Sequence, residues 1–301
     1  MDLYQELCGI LGEENVFTKE PMSRHTTFRA GGPADFFVTP EKEGQVRKTL
    51  SLLKEAQVPR YIMGNGSNLL VGDRGYRGVI LQICKKMNRI RIQDTVIQAQ
   101  AGALLSKIAA EAQAKGLTGF EFASGIPGSL GGAAMMNAGA YGGEMKQVLI
   151  QAQILNASGE IEDVLAEEME LGYRSSVFSR NGGVILSASI QLEPGDPSAI
   201  QSRMEELKFL RTSKQPLEYP SAGSTFKRPE GYFAGKLIQD AGLRGFQVGG
   251  AQVSEKHCGF VINKDQASAM DIRSLMEQVS EKVYTRFGVR LEPEVKLIGE
   301  F

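Results

Sequence analysis

Residues 119–143 constrain the fold more than any other stretch of the chain. They read GFEFASGIPGSLGGAAMMNAGAYGG, with eight glycines, one proline and a single charged residue, Glu121. Glycine loses more backbone entropy in a helix than any other residue, so we predict that this stretch does not pack as an ordinary helix. Its N–H groups, unshielded by Cβ atoms, could close around a phosphate. A set of tight turns in a glycine-rich fold explains the pattern equally well.

Length, charge and cysteine content exclude several classes of protein. A chain of 301 residues exceeds most single hydrophobic cores, so we predict two or three domains. The 34 Lys and Arg residues against 35 Asp and Glu leave a net charge of −1, which gives no electrostatic case for nucleic acid or a membrane surface. Three separated cysteines argue against a disulfide framework or zinc knuckle. The chain shows no secretory signal pattern or bilayer-spanning apolar run, so we expect a cytoplasmic protein.

Periodicity predicts alternating strands and helices in the first block, then hairpins, then a helix-rich end. The Pro/Gly/Asp cluster at residues 193–197 is the best candidate domain boundary. The predicted elements are helices at 2–11, 40–58, 104–115, 198–211 and 268–287, strands at 35–39, 60–63, 78–83, 184–192, 253–262 and 289–299, and hairpins at 90–97 and 152–165.

Common catalytic and nucleotide-binding motifs are absent from the sequence. Residues 64–69 read GNGSNL and lack the third glycine of a dinucleotide fingerprint, so a Rossmann site is a poor fit. No P-loop or G-x-S-x-G elbow occurs. His257 and Cys258 adjoin in a predicted strand, where neighbours point to opposite faces, so we do not expect a catalytic pair. Two separated histidines also make no His-rich metal site, and we predict no metal.

Three polar residues stand in unusual settings: Arg174 in the sequence YRSS, Ser224 in SAGSTFK and Glu294 in LEPEV. Taken singly, each has an ordinary explanation, as a surface ion pair, a turn residue and a solvated carboxylate. The pattern of residues alone therefore leaves the function undecided.

An ordered set of motifs nevertheless resembles the UDP-N-acetylenolpyruvoylglucosamine reductase family, flavoenzymes of peptidoglycan precursor synthesis. Each motif is weak alone, but together they follow the same order along almost the whole chain, which makes the set specific. The motifs are TFRAGGPA at 27–34, GNGSN at 64–68, GIPGS at 125–129, NAGAYG at 137–142, YRSS at 173–176, AGSTFK at 222–227 and LEPEV at 291–295.

The resemblance implies an α+β fold, with a two-subdomain FAD-binding module of the vanillyl-alcohol-oxidase type and a C-terminal α/β substrate-binding domain. We predict residues 1–196 for the FAD module, with subdomains at about 1–85 and 86–196, and residues 197–301 for the substrate domain. Whether the last strand returns to the FAD module stays open. The short connection from Val184 to Ser224 resembles the class that lacks a tyrosine-bearing insertion.

The resemblance also implies that two glycine loops hold the FAD pyrophosphate through backbone N–H groups. Neither loop contains the His or Cys that attaches flavin covalently in some oxidases of this superfamily, so we expect non-covalent FAD. The predicted cofactor-binding residues are Gly64, Asn65, Gly66, Ser67, Asn68, Ser124, Gly125, Ile126, Pro127, Gly128, Ser129, Gly132, Asn137 and Gly139.

By motif position, Arg174, Ser224 and Glu294 are the implied catalytic residues. In the reaction that the resemblance implies, NADPH reduces FAD, and a hydride then passes to the β-carbon of UDP-N-acetylglucosamine enolpyruvate, giving UDP-N-acetylmuramate. Arg174 and Glu294, the latter protonated or sharing a proton, would stabilise the enolate, and Ser224 would protonate the α-carbon. Lys227 is a candidate for polarising this serine. For the substrate or cofactor phosphates we name Lys227, Arg228, Arg211 and Lys214, although a solvated basic face explains each equally well.

Two other functions stay open at this point. An FAD-dependent sugar or alcohol oxidase of the same fold shares the glycine loops but gives no reason for all three catalytic motifs. A redox-silent nucleotide-binding regulator does not need the reactive groups. We therefore expect an NADPH-dependent reductase that acts on the enolpyruvyl sugar nucleotide, without nucleic acid or membrane partners.

Overall fold

The computed structural model describes residues 2–301. They form two compact units. Unit 1 consists of the residues up to Phe17, Phe37–Asn65 and Val79–Arg211, and unit 2 consists of Thr18–Phe36, Gly66–Gly78 and Thr212–Phe301. Each unit is therefore assembled from three separate stretches of the chain.

Helices and strands are distributed over the whole of residues 2–301. The helices are α1 (Leu3–Leu11), α2 (Glu43–Glu55), α3 (Leu105–Ala114), α4 (Leu130–Met135), α5 (Phe178–Asn181), α6 (Pro197–Lys214), α7 (Ala234–Asp240) and α8 (Ala269–Phe287). The strands are β1 (Val16–Pro21), β2 (Pro33–Val38), β3 (Arg60–Met63), β4 (Leu69–Val71), β5 (Tyr76–Gln82), β6 (Ile90–Gln93), β7 (Val96–Gln100), β8 (Leu117–Thr118), β9 (Gly139–Ala140), β10 (Gly143–Glu144), β11 (Leu149–Leu155), β12 (Ile161–Leu165), β13 (Val184–Gln191), β14 (Glu193–Pro194), β15 (Gln247–Val248), β16 (Ala251–Val253), β17 (Val261–Asn263) and β18 (Lys296–Ile298).

Unit 1 contains a five-stranded antiparallel sheet in the order β12-β11-β13-β7-β6. The predicted hairpins β6–β7 and β11–β12 are confirmed. At the second turn, the Asn156 side-chain oxygen accepts the N–H groups of Ser158 and Glu160, as expected of an Asx turn. Helix α4 packs against β13 and so fixes the end of the glycine-rich stretch on this sheet.

A second sheet has the order β1-β2-β5-β3. In unit 1, β3 runs parallel to β5, with Met63 opposite Gln82. Parallel strands bring their carboxyl ends to the same edge, so the residues after β3 and those after β5 become neighbours. This edge carries the start of the Gly64–Asn68 loop.

Unit 2 has a core between helix α8 and the antiparallel sheet β15-β16-β17. Helix α8, predicted at 268–287, starts at a capping box formed by Ser268 and Asp271 and ends at Gly288, whose φ is +70°. Strand β18 runs parallel to β4, with Lys296 opposite Leu69. The apolar face of α8 buries Ile272, Leu275, Met276, Val279 and Val283, and the same core contains Phe28, Leu70, Phe226, Val253 and Val261.

Several sequence predictions are wrong in detail. The strand predicted at 253–262 is two strands, β16 and β17, because Ser254 Oγ accepts the N–H groups of Lys256 and His257 and turns the chain between them. Only β18 forms within the strand predicted at 289–299, and α2 begins at Glu43 rather than residue 40.

The glycine-rich stretch contains a short helix, α4, contrary to the prediction from its composition. The close packing of α4 against its neighbours offsets the entropy that glycine loses in a helix. A Cβ at Gly131 would lie 2.8 Å from the Cβ of Ala101, closer than carbon atoms pack, so a glycine lets α4 approach the end of β7.

The compact units have different bounds from the predicted domains. Helix α6 has residues 197–211 in unit 1 and its last three residues in unit 2, and the division at 196/197 stays a prediction. The last strand, β18, pairs with β4 inside unit 2. Within residues 2–301, no helix combines the length and apolar character needed to cross a membrane.

We predict that Asp73→Ala destabilises unit 2. The Asp73 carboxylate accepts the N–H groups of Ala269 and Met270, both at 2.8 Å, and so satisfies two donors in the first turn of α8. Losing such a cap should lower the free energy of unfolding by about 1–2 kcal/mol. Urea denaturation measures the loss. Asp265→Ala, at an exposed carboxylate, is the control and should stay within about 0.5 kcal/mol; equal losses would contradict the capping role.

Candidate active site

The two glycine loops approach each other in unit 1 at Gly64 and Ser129, because Gly64 has no side chain to keep them apart. A Cβ at Gly64 would lie 2.3 Å from Ser129 Oγ, which is closer than any non-bonded contact allows. Beside it, Asn65 Nδ2 donates a hydrogen bond of 2.8 Å to the Pro127 carbonyl. The end of β3 and the residues before α4 therefore form one continuous surface.

Backbone N–H groups remain open in both loops. Among the described residues, the N–H groups of Asn65 to Asn68 have no backbone acceptor, and the same holds for Gly125, Gly128 and Ser129. Gly132 lies in the first turn of α4, where N–H groups lack an intrahelical acceptor. Open backbone N–H groups of this kind are able to bind phosphate oxygens.

Three of the predicted cofactor-binding residues have no backbone N–H group available to a ligand. The N–H groups of Ser124 and Ile126 bond to the carbonyls of Glu121 and Ala123, and Pro127 has no N–H. These three residues therefore shape the loop, whereas their neighbours carry the open donors. Within residues 2–301, the buried Ser129 hydroxyl has no hydrogen-bond partner, and an acceptor from a ligand would remove that cost.

Two residues that the sequence reasoning missed support the Gly64–Asn68 loop. Gln82 Nε2 donates to the Gly64 carbonyl at 3.2 Å, and the Cys84 thiol lies 3.8 Å from Asn65 Oδ1. Burial raises the pKa of the Cys84 thiol, which keeps it in the donating, neutral form. The parallel pairing of β3 and β5 explains both contacts, because Gln82 at the end of β5 and Cys84 two residues later lie beside the loop that follows β3.

Asn137 and Gly139 have structural roles within unit 1. Asn137 Nδ2 donates to Glu144 Oε2 at 3.0 Å and to the Gly172 carbonyl, and its Oδ1 accepts the Lys146 N–H at 2.8 Å. Its side-chain polar atoms are therefore already used. A Cβ at Gly139 would lie 2.6 Å from the Gly143 carbonyl oxygen, so this glycine permits the close β9–β10 pairing.

Arg174 lies on a tight turn in unit 1. Its φ of +53° is in the left-handed region, and Gly172 and Ser175 exchange backbone hydrogen bonds across the turn. Ser176 Oγ donates to the Met135 carbonyl at 2.6 Å, which anchors the turn at the end of α4. The guanidinium lies 5.6 Å from the centre of the Tyr173 ring.

Ser224 and Glu294 belong to unit 2, and their segments pair directly. The Glu294 N–H donates to the Thr225 carbonyl at 2.8 Å, and the Lys227 N–H donates to the Glu292 carbonyl. Thr225 Oγ1 in turn accepts the Val261 N–H at 2.8 Å. This bridge pairs the segment that carries the exposed Ser224 with the segment of Glu294, whose exposed fraction is only 9%.

Comparison with known proteins covers most of the chain. Residues 34–165 match the family described as FAD binding domain, and residues 215–298 match the C-terminal domain of UDP-N-acetylenolpyruvoylglucosamine reductase. A reductase of that name from Agathobacter rectalis is 54% identical over 97% of this chain and 96% of its own length. Its counterpart from Clostridioides difficile is 52% identical over 99% and 98%.

The chain belongs to the UDP-N-acetylenolpyruvoylglucosamine reductase family.

Solved structures agree with this assignment. The crystal structure of the Thermus caldophilus reductase superposes with a TM-score of 0.80 at 33% identity, covering 92% of this chain and 97% of that one. A glucose dehydrogenase, Phl p 4.0202, superposes with a TM-score of 0.50 at 13% identity over 65% of this chain and 45% of its own. The latter shows fold likeness only. The predicted fold class is confirmed, and FAD is confirmed as the cofactor of the family fold.

The basic residues named from the sequence have separate surroundings. In unit 1, Arg211 is half-buried against Gly125, where a Cβ would lie 2.8 Å from its Nε. Burial lowers the pKa of its guanidinium, and a hydrogen bond with Tyr141 acts in the opposite direction. In unit 2, Lys227 forms an ion pair with Glu292, which makes Glu292 its charged partner there.

Arg228 and Lys214 are exposed in unit 2. The Arg228 guanidinium lies 3.9 Å from the centre of the Phe233 ring, and its Nε donates to the Tyr232 carbonyl. The cation is therefore held in one orientation on an exposed loop. Such a stacked guanidinium can meet an anionic ligand without further ordering.

His257 and Cys258 are in the turn between β16 and β17, so the strand argument against a catalytic pair does not apply. His257 Nδ1 accepts the Gly259 N–H at 3.1 Å, and burial lowers the pKa of the ring. Burial raises the pKa of the Cys258 thiol. Both shifts favour the neutral form of the side chain. His257 stabilises the turn by binding the Gly259 N–H, and the Gly259 carbonyl accepts the Thr225 N–H.

We predict that Gly64→Ala weakens FAD binding. The added methyl would displace Ser129 and separate the two glycine loops. Overpacking of this kind costs about 1–3 kcal/mol, or roughly 5- to 150-fold in the dissociation constant of FAD. Titrating the apoprotein with FAD by flavin fluorescence measures the change. Gly44→Ala, where a Cβ meets no atom within 4 Å, is the matched control and should bind FAD normally.

Proposed function

We propose that this chain reduces UDP-N-acetylglucosamine enolpyruvate to UDP-N-acetylmuramate with NADPH, a step in peptidoglycan precursor synthesis. The reductase name of relatives that cover nearly the whole chain supports this activity. The observation that carries the residue roles is the bridge in unit 2 that joins the Ser224 loop to Glu294. A substrate linked to UDP and a reductant such as NADPH are cytoplasmic metabolites, so we propose that location.

The glycine loops fit the pyrophosphate of FAD, held without a covalent bond. Open N–H groups at Asn65 to Asn68, Gly125, Gly128 and Ser129 would bind phosphate oxygens. Arg211, half-buried against Gly125, would contribute positive charge beside the Gly125 N–H. When bound, FAD accepts a hydride from NADPH and passes one to the β-carbon of the enol ether.

The protein's part in the chemistry is to stabilise charge and deliver one proton. After hydride addition, negative charge develops on the α-carbon and the carboxylate of the substrate. Arg174 would stabilise this charge by a charge-assisted hydrogen bond, and a protonated Glu294 would donate to the same enolate. Ser224 would then protonate the α-carbon as the general acid.

Scaffold contacts suit these roles. The left-handed backbone of Arg174 fixes the start of a long side chain, and the anchor from Ser176 to Met135 holds the turn. Thr225 ties the serine loop to both Val261 and Glu294. Preorganised groups lose less free energy to reorientation during the reaction. Lys214 and Arg228, both exposed cations, are our candidates for the diphosphate of the substrate.

An anaerobic reaction in two steps tests the proposed function. NADPH should bleach the flavin absorbance of the purified holoenzyme, and UDP-N-acetylglucosamine enolpyruvate should then restore it without oxygen. The physical reason is that the enol ether is the acceptor for the hydride. Reduced flavin that stays bleached with this substrate, but is reoxidised by oxygen, would contradict the assignment and favour an oxidase.

Ser224→Ala should separate the two half-reactions. Flavin reduction by NADPH does not need a proton on the α-carbon, so its rate should persist. Turnover should fall by about 10²- to 10⁴-fold, the usual contribution of a general acid. Stopped-flow absorbance measures both steps. Ser221→Ala, three residues earlier, is the matched control and should keep both rates; an equal loss of both half-reactions in Ser224→Ala would count against proton donation.

A further inference from the structure

We infer that Asn68 is a positioning residue for Glu294, through a hydrogen bond from its side chain to the Glu294 backbone. This inference rests on the proposed function, because it assigns to Asn68 an effect on the second half-reaction. It separates Asn68 from the other members of its loop, for which the sequence predicted only contact with the cofactor.

The contact itself is direct. Asn68 Nδ2 donates to the Glu294 carbonyl oxygen at 3.1 Å. Two residues further on, the Lys296 N–H donates to the Asn68 carbonyl at 3.0 Å. From there the chains continue as the parallel pair β4 and β18, with Leu69 opposite Lys296. The side chain of Asn68 thus extends the β4–β18 pairing back to Glu294.

Glu294 is fixed on its other side by the serine loop. Its N–H donates to the Thr225 carbonyl, and Phe226 pairs with Pro293 in the same bridge. The backbone N–H and C=O of Glu294 therefore point to two different segments. One segment carries Ser224, and the other carries the glycine loop that ends at Asn68.

Because Asn68 and Thr225 bind opposite sides of the Glu294 backbone, one of the two bonds can be removed without the other. Removing the Asn68 amide leaves the Thr225 bond in place and frees only the carbonyl side of Glu294. The backbone that carries the Glu294 carboxyl group would then be held less firmly, although the serine loop stays folded. Because small displacements of a catalytic group cost up to about 10²-fold in rate, we expect an effect on catalysis rather than on folding.

Asn68 has one group for each role: its side-chain amide for positioning Glu294 and its backbone N–H for binding the cofactor. The backbone N–H of Asn68 is among the open donors of the glycine loop, whereas its side-chain amide is directed to Glu294. A side-chain substitution therefore removes the bond to Glu294 and keeps the backbone donor. FAD affinity should consequently be insensitive to the substitution.

Asn68→Ala tests the inference in the FAD-loaded enzyme. Under anaerobic stopped-flow conditions, flavin reduction by NADPH should stay within about threefold of the wild-type rate. Reoxidation by UDP-N-acetylglucosamine enolpyruvate should slow by roughly 10- to 100-fold, mainly in the limiting rate rather than in half-saturation. The dissociation constant of FAD, from fluorescence titration of the apoprotein, should stay within about threefold of wild type.

Two further variants keep the test decisive. Asn68→Asp has nearly the same shape, but its carboxylate cannot donate to the carbonyl, so it should show the same selective loss. Asn263→Ala is the matched structural control, because Asn263 Nδ2 donates to the Phe28 carbonyl at 2.9 Å in the same unit. That control should lower the melting temperature and leave the ratio of the two half-reaction rates unchanged.

The outcomes separate the two proposals. If the wild-type enzyme is not reoxidised by the enolpyruvyl substrate, the proposed function fails. If wild type is reoxidised and Asn68→Ala keeps the wild-type ratio of rates, only the positioning role fails. A large loss of FAD affinity in Asn68→Ala would also overturn it, since the side chain would then be a cofactor ligand.

Discussion

Close approach between backbone segments is the constraint on which the site depends. At Gly64 the chain comes so near to Ser129 that a methyl group would overlap its hydroxyl, and Gly131 allows a similar approach to Ala101. The first of these contacts brings residues 64–65 and residues 125–129, which are distant in the sequence, side by side in unit 1. Glycine supplies the space, and hydrogen bonds such as Asn65 to Pro127 supply the register.

Most polar side chains of the motifs act on the scaffold. Asn137 holds three backbone or side-chain partners, Ser176 anchors the arginine turn, and Thr225 joins the serine loop to β17. Buried polar groups need such partners, because an unmet donor or acceptor costs more than a made bond contributes. A motif of this kind therefore marks a region whose geometry is tightly specified, while few of its side chains take part in chemistry.

The sequence predicted the regular parts of the fold well and the connections poorly. Helix α8 had a capping box, an apolar stripe and a terminal glycine, all of which act locally. The turn between β16 and β17 was missed because its cause, two N–H bonds to Ser254, is hidden in an apolar run. Helix α7 was also missed, since Ala234–Asp240 has weak local start and stop signals.

The candidate site divides in the same way. Motif order indicated Arg174, Ser224, Glu294 and the glycine loops, because motifs are local in sequence. The supports Gln82 and Cys84 and the bridge from Thr225 to Glu294 depend on pairing between distant segments. Likewise, the sequence could not reveal that Asn137 has its polar atoms occupied. Contacts between distant segments follow from the fold and not from residue type.

The make-up of unit 2 from three stretches has a consequence for synthesis on the ribosome. Strand β4 pairs with β18, whose last residue is Ile298. The edge of β4 therefore stays unpaired until the intervening chain has been synthesised. At about 5–20 residues per second, this delay is on the order of ten to fifty seconds. During that time Phe28 and Leu70, fully buried in the folded protein, lack the C-terminal residues of the core that covers them. The nascent protein should therefore need protection from aggregation until its C-terminus emerges.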